Sequence, residues 1–388
     1  MRILIIPAFF RTKSRPTLGS FFWEQAFALH KAGHQVTILY CDTYSVKCIG
    51  EYLAYAEEAH QQVKGVAIWR KKMFCPFKHG IEGHREAFAK GIEQLYSKYS
   101  ANGEKTDVIH AHCCVWAGFA AMKLSEQTGI PYVITEHATL FQLHADQIRA
   151  ANERIIAQAF QRAAKVICVS KAFAGLIAKY RAAEEIEIIG NLVDCDLFRP
   201  AQHQKNTNIR FLTICYMQTE DQLYKKGIDV LLKAWKTIAD EQPTARLAIG
   251  GGGQAVAKAK EWCYAYGISD SVEWLGTLER SQVVSQMQQC DCFVLPSRYE
   301  TFGVVYIEAM ACGKPVIATA NGGPDDFVDT SNGILIPPDD MESLIAAFRQ
   351  YLRERELYHA EIIRASVTRR FHAPAIAAQL ERIYQSLQ

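Results

Sequence analysis

Along its whole length, this sequence alternates short apolar runs of strand length with longer amphipathic segments of helical periodicity. Such an alternation is typical of an α/β fold with mostly parallel strands. In the first half we predict strands over 2–7, 35–41, 65–70, 107–111, 131–135, 165–169 and 186–190. In the second half we predict strands near 210–215, 244–250, 271–275, 291–295, 315–318 and 333–336. Between them we predict helices over 20–32, 84–98, 114–128, 145–163, 226–240, 254–266, 303–312 and 340–352.

The alternation is interrupted once, where a polar stretch at 202–208 follows the turn-rich segment 194–200. We interpret this region as an interdomain linker. It divides the 388 residues into an N-terminal Rossmann-like domain (1–195) and a C-terminal one (196–370). We expect the last helical segment, 371–388, to pack back on the first domain. Parallel sheets bind ligands beyond the carboxyl ends of their strands, so two such domains facing each other predict a ligand-binding cleft between them.

Composition narrows the class of protein. The formal net charge is only +2, which gives no reason to expect a nucleic-acid partner. No apolar run approaches the roughly 20 residues that span a bilayer, and the N-terminus lacks the pattern of a signal peptide. The 12 cysteines include no C-x-x-C pair and read as reduced, buried thiols. We therefore expect a cytoplasmic protein, with peripheral contact on the inner face of the membrane as the alternative.

The segment 64–98 bears on that alternative because it mixes basic and aromatic side chains. A basic, aromatic surface is suited to an anionic membrane. The same composition also describes a solvated charged face over an ordinary core. Both interpretations remain open at this stage.

The segment 295–318 carries the most specific pattern in the chain. A buried strand ends at Pro296, a loop follows with Glu300, and a helix beginning after Gly303 carries Glu308. Unpaired backbone amides at the start of a helix bind anions. Carboxylates accept hydrogen bonds strongly from hydroxyl groups. A carboxylate in the loop and another on the helix are therefore suited to different hydroxyls of one ligand.

This pattern, E-x-F-G followed by E-A-M-A-C-G-K-P-V-I-A, resembles the signature of the retaining GT-B glycosyltransferases of family 4, also called glycosyl transferases group 1. Weaker matches occur in the expected order along nearly the whole chain. They are the loop at Gly19, the segments 33–36 and 191–200, the pair Lys226-Gly227, and the elements at 322–323 and 332–337. The resemblance implies a GT-B fold in which the N-terminal domain (1–195) is on the acceptor side and the C-terminal domain (196–370) binds the nucleotide-sugar donor. It also implies a hexosyltransferase-type enzyme that moves a sugar with retention of configuration.

The resemblance also implies roles for individual residues. It assigns catalysis to His112, Lys226 and Glu300, with Lys226 neutralising the diphosphate as it leaves. It assigns donor binding to Gly19, Lys226, Leu275, Glu300, Thr301, Phe302, Gly303 and Glu308. Among these, Glu308 is expected to bind the ribose and Glu300 the transferred sugar. Since Lys226 supplies positive charge, we expect no metal ion and no other cofactor.

Two further residues, Glu136 and His137, follow another strand end. They are either sugar or acceptor contacts in the cleft, or a hydrogen-bonded pair that orders its own loop. His110 and His112 lie on one face of their strand, so structural histidines and a metal pair are alternatives to the sugar-site role of His112.

The match has one clear departure. Met217 stands where the family usually has an arginine before the K-G lysine, and Lys225 is the candidate substitute. Our first expectation for the donor is a UDP-sugar, and GDP-mannose is second. The expected acceptor is a glycan or a lipid-linked molecule in surface polysaccharide or glycolipid assembly. The alternatives are a nucleotide-sugar epimerase of the same architecture and a catalytically weak sugar-nucleotide-binding partner protein.

Overall fold

The structure is a computed structural model that describes residues 1–11, 18–54, 58–75, 81–143, 145, 148–201 and 208–388. It divides into two compact units. Unit 1 comprises Met1–Leu192 together with Ala373–Gln388, and unit 2 comprises Val193–His372. Residues 202–207 of the predicted linker and residues 76–80 of the predicted basic segment lie outside the described residues.

A mostly parallel sheet forms the centre of unit 1. In the described part of the chain its strands are β1 (Arg2–Pro7), β2 (Gln35–Ser45), β3 (Glu58–Val63), β4 (Val66–Cys75), β5 (Val108–His112), β6 (Tyr132–Glu136), β7 (Lys165–Cys168) and β8 (Ile186–Ile188). Their order across the sheet is β3-β4-β2-β1-β5-β6-β7-β8. Every residue of β5 and β6 is buried, as expected for central strands of a parallel sheet.

Helices connect these strands. They are α1 (Ser20–Lys31), α2 (Ile49–Ala54), α3 (Ile81–Ala101), α4 (Phe119–Thr128), α5 (Leu140–Leu143), α6 (Ala150–Arg162) and α7 (Lys171–Ile177). The predicted helix 114–128 begins as a π-helix, Cys114–Gly118, that joins β5 to α4. Amphipathic spacing explains why these segments are helical: α1, for example, buries Phe22, Ala26 and Leu29 on one face.

Unit 2 contains a second parallel sheet. Its strands are β9 (Arg210–Ile214), β10 (Arg246–Gly250), β11 (Val272–Gly276), β12 (Cys292–Leu295), β13 (Val316–Thr319) and β14 (Gly333–Ile336), in the order β11-β10-β9-β12-β13-β14. Its helices are α8 (Glu220–Lys225), α9 (Ile228–Glu241), α10 (Val256–Ala265), α11 (Arg280–Gln289), α12 (Val304–Ala311), α13 (Met341–Glu354) and α14 (Ala360–Phe371). The prediction of an α/β chain built from two parallel-sheet domains is confirmed.

The last helix, α15 (Ala373–Gln385), belongs to unit 1, where it contacts α1. Its Tyr384 hydroxyl lies 2.6 Å from Nδ1 of His110 in β5. The unit boundaries fall after Leu192 and after His372, whereas the sequence analysis placed them after 195 and 370.

One strand of unit 1 was not predicted. β3 pairs antiparallel with β4 at the edge of the sheet, and its sequence, EAHQQV, has no continuous apolar run. An edge strand with one hydrogen-bonded neighbour is largely exposed and needs no such run. β4 also continues past its predicted end at 70, because β2 continues beside it until Ser45 pairs with Cys75.

Candidate active site

In unit 2, the loop from β12 to α12 brings the two predicted carboxylates into different environments. Gly303 caps the start of α12, and Glu308 lies on the second turn with 3% of its surface exposed. Glu300 lies in the loop and remains partly exposed. Because α12 starts at this loop, its free backbone amides face the segment that carries Glu300. The arrangement is suited to a ligand that has both an anionic part and hydroxyl groups.

Glu300 forms an ion pair with Lys226. The Lys226 Nζ lies 2.5 Å from the Glu300 Oε1, and the Ser297 hydroxyl donates to the same oxygen at 2.9 Å. Burial lowers the pKa of Lys226, but the charge and hydrogen bond of Glu300 outweigh burial, so the pKa lies above its ordinary value. Lys226 is therefore a fixed cation at the loop.

A tight turn explains how Lys226 reaches the loop. Lys226 is the C-cap residue that follows α8, and Gly227 is the N-cap residue that precedes α9, with a φ of 66°. A Cβ at Gly227 would lie 2.0 Å from the Pro296 carbonyl oxygen. Only glycine allows both the left-handed conformation and this close approach. The K-G pair is thus a packing requirement of the site as well as a motif.

An arginine that the sequence analysis did not single out holds this turn against the loop. The Arg298 guanidinium binds both carboxylate oxygens of Asp229, at 2.8 and 2.9 Å. Arg298 N also donates to the Lys225 carbonyl at 2.8 Å. A bidentate pair fixes orientation as well as distance. Arg298 lies in the segment 295–318, and Asp229 lies two residues after the K-G pair. Both residues could therefore be found in the sequence, but only folding makes them neighbours.

Glu308 also has a basic partner that sequence reasoning missed. Arg280, the first residue of α11, donates from its Nη1 to the Glu308 Oε1, and its Cζ lies 4.5 Å from the Phe198 ring centroid. Burial raises the pKa of Glu308, and Arg280 opposes that rise by its charge and hydrogen bond. Arg280 thereby favours the ionised form of a carboxylate that lies almost wholly out of water.

The remaining donor-side predictions are Phe302 and Thr301 in the same loop as Glu300, and Leu275 on β11. Phe302 is 1% exposed, and its ring packs against Phe327 and Phe371. Its side chain therefore belongs to the hydrophobic core, and only its backbone amide is left for the predicted contact with the donor. Thr301 is partly exposed beside it, and Leu275 is partly exposed near the end of β11.

Met217, at the position where an arginine was expected, is fully buried. Its backbone N donates to the Gly252 carbonyl at 3.2 Å, and its carbonyl accepts from Ala255 N at 3.0 Å. The side chain belongs to the interior of unit 2, where a flexible thioether fills space. Met217 therefore leaves no room for a solvent-facing cation at this position.

In unit 1, His112 ends β5 and is fully buried. Its Nδ1 lies 3.1 Å from Nε2 of His137, so one of the two rings donates to the other. Burial, followed by the neighbouring His110 and His137, holds the pKa of His112 well below its ordinary value. His112 Nε2 and His137 Nδ1 are buried without a hydrogen-bond partner among the described residues. Unpartnered ring nitrogens on two adjoining buried histidines indicate a place for a polar ligand.

His110 lies two residues earlier on β5 and differs from His112 in its hydrogen bonds. Its Nε2 lies 2.7 Å from the Thr135 hydroxyl, and its Nδ1 is bonded to Tyr384 of α15. Both ring nitrogens are used within unit 1. His110 is thus the structural histidine of the two.

Glu136 is committed to the backbone. One carboxylate oxygen accepts from Cys114 N at 2.7 Å, and the other from His137 N at 2.9 Å and Ala138 N at 2.7 Å. Burial raises its pKa to about 7, although these hydrogen bonds lower it. Of the two alternatives, the geometry therefore favours a loop-ordering role for Glu136. His137 differs, because its Nδ1 has no hydrogen-bond partner among the described residues.

Gly19 is the N-cap residue that precedes α1, with a φ of 69°. A Cβ there would lie 2.9 Å from the Phe9 carbonyl oxygen and 3.0 Å from the Phe22 ring. The Phe22 ring centroid in turn lies 4.7 Å from that of His112. Gly19 therefore lets the start of α1 pack directly over the histidines at the end of β5.

The described basic residues of 64–98 are divided between the interior and the surface: Lys71, Lys72 and Arg85 are buried, whereas Lys64, Lys90 and Lys98 are exposed. Lys71 and Lys72 are each 7% exposed and Arg85 is 3% exposed. Lys71 pairs with Glu58 at 2.5 Å, and Arg70 pairs with Asp42 at 2.6 Å. The three buried residues and Arg70 are therefore part of the structure of unit 1, while Lys64, Lys90 and Lys98 remain at its surface. None of the helices in the described segments is long and apolar enough to cross a membrane.

Two family models match the chain. The model described as Glycosyltransferase Family 4 matches residues 18–197, and the model described as Glycosyl transferases group 1 matches residues 215–366. An uncharacterised glycosyltransferase of Methanocaldococcus jannaschii is 25% identical over 340 residues, which cover 82% of this chain and 80% of the relative.

Solved structures agree with the fold. Sucrose-phosphate synthase from Thermosynechococcus elongatus superposes with a TM-score of 0.78 at 20% identity, over 100% of this chain and 98% of that one. The Anabaena protein HepE in complex with UDP gives a TM-score of 0.73 at 18% identity, with both chains covered fully. HepE in complex with UDP-glucose gives a TM-score of 0.70. At these identities the likeness establishes the fold, which is GT-B.

Proposed function

The chain belongs to the glycosyl transferases of group 1, with a GT-B fold, and on that premise we propose that it transfers a sugar from a nucleoside diphosphate to an acceptor hydroxyl with retention of configuration. The observation that carries the proposal is the Lys226–Glu300 pair beside the start of α12, with the buried Glu308 on the same helix. One cation, one helix start and two carboxylates in unit 2 match the groups of a nucleotide sugar.

The charges suggest how the reaction is helped. Cleavage of the bond between sugar and diphosphate places negative charge on the leaving group. Lys226 and the backbone amides at 301–303 stabilise that charge more in the transition state than in the bound donor, which is what accelerates a chemical step. Lys226 supplies this positive charge from the protein itself, so our proposal includes no metal ion and no other cofactor.

The carboxylates bind the rest of the donor in this proposal. Glu300 holds Lys226 in place and accepts from hydroxyls of the transferred sugar. Glu308, kept ionised by Arg280, accepts from the ribose hydroxyls. Backbone amides of Thr301, Phe302 and Gly303 face the phosphates. His112 contributes its unpartnered Nε2 from unit 1 to a sugar hydroxyl.

For the donor we propose a UDP-sugar first and GDP-mannose second. The complexes of HepE with UDP and UDP-glucose support the first choice. The setting we propose is the assembly of a surface polysaccharide or a glycolipid by a cytoplasmic protein, with peripheral membrane contact as an additional possibility for a lipid-linked acceptor.

The buried Met217 gives a second candidate function some support. With one phosphate cation fewer, the chain would bind a sugar nucleotide without turning it over efficiently. Lys225 stands next to Lys226 and is the candidate replacement, although burial lowers its pKa. An epimerase of the same architecture is separable by its product, since it would release an epimerised sugar nucleotide in the absence of acceptor.

The test combines binding and turnover. Melting temperature is measured against UDP, GDP, ADP and their sugars, since a ligand of the folded state raises it by mass action. We expect one nucleotide class to stabilise the wild type and to lose this effect in Glu308→Gln. The matched control is Glu241→Gln, which removes a different ion pair, with Arg349. Stabilisation by no nucleotide, or equal stabilisation of Glu308→Gln, would contradict the site. Release of free nucleotide from the stabilising sugar then separates a transferase from a binding protein.

A further inference from the structure

A row of alternating basic and aromatic side chains runs along one side of α1 in unit 1. Trp23, Phe27 and Lys31 are spaced four residues apart, so they lie on the same side of the helix. Arg11 follows β1, and Lys64 lies in the turn between β3 and β4. We call these five residues the α1 stripe. None of them belongs to the groups assigned above to the donor or to the transferred sugar.

The five side chains of the α1 stripe are in continuous contact. The Trp23 and Phe27 rings are nearly parallel, with an angle of 8° between their planes and 6.0 Å between their centroids. The Arg11 Cζ lies 4.4 Å from the Trp23 ring centroid. At the other end, the Nζ atoms of Lys31 and Lys64 lie 4.9 and 5.3 Å from the Phe27 ring centroid. Each cation is therefore held over the face of a ring.

Carboxylates do not balance the charges of the α1 stripe. Arg11, Lys31 and Lys64 form no ion pair with any of the residues that the structure describes. The only carboxylate that α1 itself carries is that of Glu24. The surface therefore has an excess of positive charge even if Glu24 is counted against the three cations.

The other face of the same sheet has a different charge arrangement. Arg70 and Lys71 are neighbours in β4 and therefore point to opposite faces of the sheet. The Arg70 Nη1 donates to the Arg11 carbonyl at 2.9 Å, on the side of the α1 stripe. Lys71 shares the Glu58 carboxylate with Lys98 of α3, at 2.5 Å each. The exposed Lys98 thus has a carboxylate partner, which the lysines of the α1 stripe lack among the described residues.

The rings decide which anionic partner fits the α1 stripe. Trp23 and Phe27 are partly exposed, and Lys31 and Lys64 are exposed. Rings interleaved with basic side chains suit the headgroup level of an anionic bilayer, where the rings reach the acyl boundary and the cations contact phosphates. A soluble polyanion would use the cations and leave the rings without an apolar partner. The observations therefore favour a lipid surface.

We propose that the α1 stripe is the surface through which this protein contacts an anionic phospholipid bilayer. Arg11, Lys31 and Lys64 bind lipid phosphates, while Trp23 and Phe27 lie at the level of the headgroups. The inference rests on the proposed function for its membrane setting, but on no step of sugar transfer. The segment 64–98, in which the sequence analysis looked for a membrane surface, contributes only Lys64 to it.

The experiment measures vesicle binding of the full chain by co-sedimentation and needs no turnover. The vesicles are an equimolar mixture of phosphatidylglycerol and phosphatidylcholine, with pure phosphatidylcholine as the reference. We expect binding to the mixed vesicles and much weaker binding to the reference. Lys31→Gln and Lys64→Gln should each raise the apparent Kd about fivefold, because each removes one cation from an anionic surface.

The matched control is Lys123→Gln. Lys123 of α4 also lies over a ring, with its Nζ 5.2 Å from the Phe119 ring centroid, but it pairs with Glu86 at 3.2 Å. The variant removes the same charge and the same kind of ring contact away from the α1 stripe. Because salt screens distant charges, it should leave the apparent Kd nearly unchanged. Melting temperatures check that all variants remain folded.

A second measurement locates the contact. Vesicles with brominated acyl chains quench tryptophans that lie close to the bilayer. The chain has 6 tryptophans, so the quenching of the wild type is compared with that of Trp23→Phe, which keeps an aromatic ring for binding. We expect this variant to bind the vesicles and to lose most of the quenching. Undiminished quenching of bound Trp23→Phe would overturn the inference.

The outcomes separate this inference from the proposed function. The inference fails if mixed vesicles are not bound, if pure phosphatidylcholine binds equally well, or if Lys123→Gln weakens binding as much as Lys31→Gln. Binding of soluble dextran sulfate without binding of vesicles also overturns it. Stabilisation by UDP, measured on the same proteins, tests the transferase proposal separately and should persist in Lys31→Gln and Lys64→Gln. If vesicles bind as expected and no nucleotide stabilises the protein, the transferase proposal fails and the membrane surface remains.

Discussion

Lys226 and Glu300 are 74 residues apart in the chain, yet the Lys226 Nζ lies 2.5 Å from the Glu300 Oε1. The turn at Gly227 and the Arg298–Asp229 pair bring them together. The pair keeps a cation fixed in unit 2 before any donor arrives. A preorganised charge needs little rearrangement during the reaction, so its removal should act mainly on the chemical step.

Lys226→Ala should therefore lower kcat by about 10²–10³-fold with a smaller change in KM. Lys226→Arg should retain part of the activity, because it keeps the charge with a different geometry. Steady-state kinetics with the donor identified by thermal shift provides the measurement. Lys225→Ala is the neighbouring control. An equally large loss of kcat in this variant would contradict a special role for Lys226 and would assign the phosphate contact to Lys225 as well.

Arg280→Gln should make nucleotide binding depend on pH. Burial raises the pKa of Glu308, and Arg280 is the group that opposes this rise. Without Arg280 the pKa rises further, so the carboxylate takes up a proton as the pH falls and loses acceptor capacity. We expect the Kd for UDP to be about tenfold weaker than in the wild type at pH 6, and to recover towards pH 8.5.

Calorimetric titration at these two pH values tests the effect of Arg280. Arg349→Gln is the control, since it breaks an exposed pair with Glu241. A loss of affinity that is the same at both pH values would mean that Arg280 contacts the nucleotide itself and does not act through Glu308.

Gly227→Ala should destabilise unit 2. The φ of 66° alone costs about 1–3 kcal/mol for a residue with a side chain, and the Cβ would lie 2.0 Å from the Pro296 oxygen. Gly129→Ala is a matched control, because Gly129 has a φ of 73° and no atom within 4 Å of the added Cβ. Denaturant unfolding should show a clearly larger loss for Gly227→Ala. Equal losses would mean that the backbone conformation, and not the contact with Pro296, sets the requirement.

Met217→Arg should not restore the expected phosphate cation. Met217 is fully buried, so an arginine there would place an uncompensated charge in the core, at a cost of about 3–5 kcal/mol. Met217→Leu should cost under about 1.5 kcal/mol. Melting temperature and the Kd for UDP are the measurements. A stable Met217→Arg protein with tighter UDP binding would show that this position reaches the ligand after all.

Much of the fold was predictable because it depends on local pattern. The central strand β12 is apolar throughout, and β5 and β6, which are also buried, each begin with apolar residues before their polar ends. The edge strand β3 was not predictable in this way, because its polar sequence is held by pairing with β4. Helix α11 was missed for a similar reason, since its sequence, RSQVVSQMQQ, buries only Val284 and Met287.

The sequence by itself determined which side chains the β12–α12 loop and the K-G turn carry, while the donor-binding roles proposed for them come from the family resemblance. The spacing of Glu300 and Glu308, the K-G pair and the glycine before α12 are all local patterns. Each depends on turns and helix starts that neighbouring residues specify. Gly19 and His112 were located in the same way, at the start of a helix and at the end of a strand.

Only the tertiary structure decided how those groups are paired. Arg280 and Glu308 are 28 residues apart, and His110 and Tyr384 are 274 apart, so no local pattern connects them. The pKa of Glu308 and the position of Met217 in the core both depend on burial. Burial is a property of the folded chain and not of the local sequence.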